Sequence, residues 1–262
     1  MIKDFLEKFA IEIECEKDLK GGTQSSVKLI NNKYLIKSNS PALIKAENEF
    51  CDFYPNLFQK KIYVDKNFNY IVYEFIEGQT CKQYNEKNVT QNILKIIKSY
   101  KNFPHSDYGY LDCPAKSIEE FLLSEIEEFK LLENYLSVND YYITTNAINN
   151  LKNHSFKKQL IHGDLGVHNI IVKDKFFNGI IDPSPVIFDG IYDFIYYICS
   201  DIDLLNTYSI LDIANLLNEQ FDKVKDLYII ILYARIIRCL KYYPEEISEH
   251  IKVWNNNVKN NT

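Results

Sequence analysis

The sequence predicts an α+β chain of two lobes: a small β-rich lobe over residues 1–78 and a larger, mainly helical lobe over residues 79–262. Three observations predict it. The first third carries short strand-like runs separated by turn residues. After Gly78 the apolar residues recur at helical spacing. The chain has 262 residues, 46% apolar and 25% charged, ordinary globular values that allow one large or two modest domains with a real core.

The elements follow in order. Val27–Ile30 and Lys33–Lys37 read as two strands around an Asn31-Asn32 turn, preceded by the small, flexible stretch Gly21-Gly22-Thr23-Gln24-Ser25-Ser26. Ser40 followed by Pro41 reads as a helix cap with proline at the first helical position, opening a helix to about residue 54. Lys61–Val64 and Tyr70–Ile76 read as two further strands, so the first lobe is β-β-α-β-β, and Gly78 ends it. Ile93, Leu94, Ile96, Ile97 and Tyr100 mark a helix. Ser117-Ile118-Glu119-Glu120 is a capping box that predicts a helix to about residue 136. Ile170–Val172 and Gly179–Ile181 form a hairpin around Lys173-Asp174-Lys175, and helices resume near residue 190. A β-rich lobe joined to a helical one places a ligand cleft at the junction.

Composition narrows the function. Thirty Lys+Arg against 36 Asp+Glu give a net charge of −6, which argues against bulk nucleic-acid binding and slightly favours a cationic small-molecule partner. The charged start Met1–Lys8 is not a signal peptide, and the apolar run Leu227–Ala234 is far short of the ~20 residues of a membrane span. Six cysteines with no Cys-x-x-Cys read as reduced thiols in a cytoplasmic protein, with Cys51, Cys199 and Cys239 in the core. The acidic run Glu125, Glu127, Glu128 reads as a solvated helix face, or as the lining of a site for a cationic substrate.

One segment carries chemistry: His162-Gly163-Asp164-Leu165-Gly166-Val167-His168-Asn169, then a hairpin, then Ile181-Asp182-Pro183. Asn169 follows Asp164 by five residues, and Asp182 follows Asn169 by thirteen. A loop of this kind presents one carboxylate to an acceptor hydroxyl. The Asn at its end and the Asp closing the hairpin can converge on a hard cation such as Mg²⁺, which takes oxygen ligands. His162 and His168 read as hydrogen-bonding loop residues, not as a metal pair.

These residues resemble the aminoglycoside phosphotransferase and choline kinase family, relatives of the protein kinases, whose loop runs His-Gly-Asp-Leu-x-x-x-Asn with a following Ile-Asp. Phe188–Phe194 is similar to that family's Gly-Asp-Pro-x-x-Asp-Leu, Tyr73–Gly78 to its hinge and Leu35-Ile36-Lys37 to its nucleotide-lysine strand. The protein-kinase loop keeps Arg where Gly163 stands. The resemblance implies a two-lobed protein-kinase-like fold and transfer of the γ-phosphate of ATP or GTP, with Mg²⁺, to a small-molecule hydroxyl.

By position it implies Asp164 as the base or orienting carboxylate, Asn169 and Asp182 as Mg²⁺ ligands, and Lys37 on the α- and β-phosphates. Glu47 is the favoured partner of Lys37, with Glu49 the alternative. The backbone of Glu74 and Ile76 would hold the adenine edge, and Thr23 and Ser25 the β-phosphate. His162 would orient the loop and Asp193 would buttress it. The acceptor is expected between the catalytic loop and the helices of about 115–150 and 195–250.

The acceptor's identity stays open. Kanamycin-type members resemble the chain in Gly-Asp-Leu-Gly but carry carboxylates at their C-terminus, where this sequence reads Asn255–Thr262. An aminoglycoside, choline, ethanolamine and a sugar are all compatible, as is a nucleotide-binding regulator without turnover. A protein substrate is disfavoured, because only ten residues separate Asp182 from Asp193 and no Ala-Pro-Glu motif follows.

Overall fold

The computed structural model describes residues 2–19, 25–81 and 87–259. Helix α1 (Lys3–Lys8) and strand β1 (Glu16–Leu19) precede the expected hairpin of β2 (Ser26–Ile30) and β3 (Tyr34–Ser38). Its turn residues Asn31 and Asn32 have φ of 52° and 51°, a left-handed backbone that asparagine tolerates better than most residues with a Cβ. The Asn31 side chain also accepts from the N–H groups of Glu14 and Cys15, pinning the chain before β1.

Helix α2 (Pro41–Phe53) starts as read, with Ser40 Oγ accepting from Leu43 N at 3.4 Å. Strands β4 (Lys61–Val64) and β5 (Tyr70–Glu74) complete an antiparallel sheet in the order β1-β2-β3-β5-β4. Strand alternation divides its residues. Ile30, Ile36, Tyr70 and Val72 pack with Phe5 of α1, while Ile71 and Tyr73, with Leu35 beside them, pack with Ile44 and Cys51 of α2. Lys37 shares the parity of Leu35 and so lies on α2's side.

Strand β6 (Gln79–Thr80) leaves this sheet, and helix α3 (Lys87–Lys98) begins the helical lobe. There follow β7 (Gly109–Tyr110), α4 (Ile118–Glu125), α5 (Val138–Leu151), β8 (Gln159–Ile161), β9 (Ile170–Lys173), β10 (Phe176–Ile180) and β11 (Val186–Phe188). The chain closes with α6 (Ile191–Cys199), α7 (Ile202–Thr207), α8 (Ile210–Leu217), α9 (Phe221–Tyr242) and α10 (Ile247–Asn257). Two small sheets, β10-β9-β6 and β7-β11-β8, lie within this lobe. Gly78, at φ 145°, precedes β6 where a Cβ would stand 2.5 Å from the Val172 carbonyl oxygen, so the crossing of the chain onto β9 requires glycine.

Every residue of α6 is buried, and α9 buries its whole Leu227–Ala234 run against α5, α6, α8 and α10. A helix apolar on all sides has to be central, and each fully buried Leu, Ile or Phe side chain here contributes ~1.5–3 kcal/mol. The same core takes in Phe50 and Tyr54 of the α2 end, and the Tyr54 hydroxyl donates to Leu160 O at 2.8 Å. This bond fixes α2 against the helical lobe.

One expected element is shorter than its pattern. The Ser117 cap is present, accepting from Glu120 N at 3.1 Å, but the helix ends at Glu125 and not near residue 136. The chain then turns through a 3-10 segment, Phe129–Leu132, burying Ile126 and Leu132 and stacking Phe129 on Tyr141 at 4.1 Å between ring centroids. Burial of these side chains outweighs continuation of the helix. Strands β6, β7, β8 and β11 have two or three residues each, too few for a periodicity to show.

Candidate active site

Strand β8 delivers His162 and the loop that follows. Gly163 has φ of 80°, and a Cβ there would stand 2.0 Å from Ser184 O. Only glycine fits, because the segment after Asp182 passes directly over the loop, with Ser184 N donating to His162 O at 2.9 Å. Asp193 holds the loop from below: Oδ2 accepts from His162 N at 2.8 Å and Tyr100 Oη at 2.6 Å, and Oδ1 from Gly163 N at 2.9 Å. Burial pushes the Asp193 carboxyl up to about 7, against the pull of these three donors.

His162 is fully buried. Its Nε2 donates to Ile181 O at 3.0 Å and its Nδ1 accepts from Asp164 N at 3.3 Å. Burial brings its imidazole down to about 4, so the ring is neutral and bridges the loop to the segment carrying Asp182.

Asp164 is the partly exposed carboxylate of the loop. Its Oδ1 accepts from Tyr196 Oη at 2.6 Å, and its Oδ2 faces Asn169 Nδ2 at 2.9 Å and His168 Nε2 at 3.3 Å. Burial alone would raise this carboxyl, but His168 and the bond from Tyr196 hold it well below the usual range. It is therefore ionised and rigidly aimed, suited to orienting a hydroxyl more than to early proton abstraction.

Asn169 uses its amide nitrogen to tie down Asp164, also donating to Asp164 O at 2.8 Å, so these bonds do not use its Oδ1. The backbone joins the two, Ile181 N donating to Asn169 O at 2.9 Å. Asp182 itself has φ of 59°, a conformation aspartate enters more readily than most residues. Asn169 and Asp182 make an all-oxygen donor set, which fits Mg²⁺.

Lys37 lies between the Glu47 and Asp182 carboxylates and bonds to both. Burial would depress its ammonium, but the two carboxylates hold it up at about 12. Glu47, whose carboxyl burial pushes upward, is further held by Tyr73 Oη at 2.9 Å. The helix face decides which glutamate serves. Ile44, Glu47 and Cys51 share the buried side of α2, while Glu49 is exposed on the other.

The remaining expected residues are placed as follows. Thr23 lies outside the described residues, and Ser25, half-buried, precedes β2. Glu74 ends β5, its N–H donating to Lys60 O and its carbonyl accepting from Gln59 Nε2, each at 2.9 Å. The half-buried Ile76 side chain sits over Gly179, where a Cβ would meet Ile76 Cδ1 at 2.7 Å. The reading of Glu125 as part of a solvated or substrate-lining face is corrected. The Glu125 side chain is only 4% exposed, accepting from Arg238 Nη2 at 2.8 Å, Tyr192 Oη at 2.7 Å and Tyr110 Oη at 2.9 Å. His168 hydrogen-bonds within the loop as expected, whereas Tyr196 and Arg238 had no motif to signal them.

No protein-family profile and no curated protein matches the chain by sequence. Solved structures match over the full length. The GDP complex of aminoglycoside 2'-phosphotransferase-IIIa is 16% identical with a TM-score of 0.66, covering 98% of this chain and 97% of that one. The GDP and kanamycin complex of APH(2")-IIIa is 15% identical with a TM-score of 0.66 and covers 100% of both. The ternary complex of a thermostable APH(4)-Ia mutant with AMP-PNP and hygromycin B is 12% identical with a TM-score of 0.68, covering 99% and 98%. The chain thus has a two-lobed, protein-kinase-like fold. It shares that fold with the aminoglycoside phosphotransferases. No helix among the described residues is long and apolar enough to cross a membrane.

Proposed function

We propose that the chain is a small-molecule kinase of the aminoglycoside phosphotransferase type, moving the γ-phosphate of ATP or GTP to an alcohol hydroxyl in the cytoplasm. The observation that carries this reading is one connected set of contacts. Glu47, Lys37 and Asp182 form a chain of ion pairs, and Asn169 links the Asp182 strand to Asp164. This set brings a cation, two carboxylates and a carboxamide together beside Asp164, groups suited to a charged phosphate chain and its metal.

In this reading residues 1–78 hold the nucleotide and residues 79–262 the acceptor. The backbone of Glu74 and Ile76 takes the base, Ser25 and Thr23 the β-phosphate, and Lys37 exchanges Asp182 for the α- and β-phosphates while keeping Glu47. Asn169 and Asp182 would hold Mg²⁺, which would supply neutralisation of the phosphate charge. Asp164 aligns the acceptor hydroxyl. The hydroxyl oxygen bonds to the γ-phosphorus as the bond to the β-phosphate oxygen breaks, the diphosphate leaves with the electron pair, and the hydroxyl proton passes to Asp164.

The test is nucleoside diphosphate release with Mg²⁺ against a panel of hydroxyl acceptors, with Asp164→Ala as control. Acceptor-stimulated turnover that the control loses by several orders of magnitude supports phosphotransfer. Nucleotide binding with no turnover for any acceptor would make the chain a nucleotide-binding regulator.

A further inference from the structure

The surroundings of Asp164 on the acceptor side are tyrosines and charged pairs donated by α9. The Asp164 partner Tyr196 lies under Arg238, whose guanidinium carbon is 5.4 Å from the ring centroid. The other partner, His168, lies 6.3 Å from the Tyr243 ring, which carries Arg235 at 5.0 Å. Arg235, Arg238 and Lys241 are spaced three apart and form one stripe of α9. Each takes one carboxylate: Arg235 takes Glu246 at 2.8 Å, Arg238 takes Glu125 at 2.8 Å and Lys241 takes Glu128 at 2.7 Å.

A cationic acceptor is recognised by unpaired carboxylates or by open aromatic faces. Among the described residues on this stripe, Glu246, Glu125 and Glu128 are each neutralised by one cation, and Tyr196 and Tyr243 already hold guanidinium groups. The Nε of Arg235 and the Nη1 of Arg238 have no hydrogen-bond partner among the described residues. An added cation would have to displace one of these arginines from its carboxylate, leaving a charge without its partner.

Resting on the phosphotransferase reading, we infer that the acceptor is a polyhydroxyl compound without positive charge, of the sugar type, and that Arg238, paired with Glu125, is the residue that excludes cationic acceptors. This reverses the slight preference for a cation drawn from the net charge of −6. The charge that matters is the local balance at α9, which the stripe brings to zero.

The experiment compares kcat/KM for neutral sugars and polyols with that for kanamycin, choline and ethanolamine, using the full chain with ATP and Mg²⁺. It repeats the comparison in Arg238→Gln, with thermal melting to confirm folding. Turnover at least ten-fold higher with a neutral acceptor, and a ratio of cationic to neutral acceptor that rises ten-fold or more in Arg238→Gln, support the inference. A merely structural role for Arg238 would lower both substrates alike and leave the ratio fixed. Preferred turnover of kanamycin, choline or ethanolamine by the natural chain overturns it. So does an absence of stimulation by every neutral acceptor while Mg²⁺ and nucleotide still raise the melting temperature. Should Arg238→Gln fail to fold, the natural chain's substrate ratio decides alone. Failure to bind nucleotide at all would instead remove the phosphotransferase reading beneath it.

Discussion

Lys37 and Asp182 are joined by a direct ion pair across 145 residues of sequence. The strand that carries Lys37 and the segment after the hairpin that carries Asp182 meet at this bond. In the proposed function a phosphate chain entering the cleft takes the place of Asp182 as a partner of Lys37. Lys37→Met is therefore expected to abolish stabilisation by Mg²⁺-nucleotide, which for the natural chain at a hundred times Kd is ~2.7 kcal/mol. Asp182→Ala should also lose turnover. Melting curves with and without nucleotide read the first, and diphosphate release the second. A Lys37→Met variant that gains the natural chain's full increase in Tm would refute the assignment of this lysine.

Tyr196 fixes the Asp164 carboxylate through the 2.6 Å bond to Oδ1. Tyr196→Phe keeps the ring beneath Arg238 and removes only the hydroxyl. The carboxylate then swings more freely, so kcat should fall by about ten-fold, the equivalent of ~1.4 kcal/mol in barrier, while KM for nucleotide stays constant. Steady-state kinetics separate the two. A change confined to the nucleotide KM would place Tyr196 in a different role.

Gly163 tests the loop's backbone. Alanine there meets both a left-handed φ of 80° and a carbonyl oxygen 2.0 Å from its Cβ. The backbone cost is of order 1–3 kcal/mol, and the clash adds to it. Gly163→Ala is expected to lower the urea midpoint and reduce turnover together. An alanine variant with unaltered stability would mean that the segment over the loop moves without cost.

His162 gives a pH dependence whose sign follows from burial. Its imidazole is near 4 in the folded chain against 6.5 for the unfolded group. Below pH 6.5 the unfolded chain takes up a proton that the folded one refuses. The stability this group contributes is complete above pH 6.5 and is lost as the pH falls toward 4, by ~1.4 kcal/mol per pH unit. The raised Asp193 carboxyl titrates in the opposite sense over part of the same range. The difference between the natural chain and His162→Gln removes it. That difference, followed by urea unfolding from pH 7.5 to 4.5, should shrink as the pH falls.

What could be read from the sequence was what is local. Residues 162–194 carry their own geometry: a glycine forced by a crossing segment, a loop of fixed length, and a hairpin that returns the chain to Asp182. Spacing along the chain sets these distances, so Asp164, Asn169, Asp182 and Asp193 were legible before the fold was known. The strands and the α2 start were legible for the same reason, since alternation and a Ser-Pro cap act over a few residues.

Tertiary structure decided the rest. Glu47 was separated from Glu49 by the match between strand parity in β3 and the buried face of α2, a relation between two elements. The acidic run at Glu125 looked solvated because its partner, Arg238, lies 113 residues away. Only the packing of α4 on α6 and α9 turns that carboxylate inward and neutralises it. Net charge is a sum over the whole chain and local charge a matter of which groups share a low-dielectric space, so the sequence alone determined the spacing of Asp164, Asn169 and Asp182, while the packing of α9 decided which charges are paired around them.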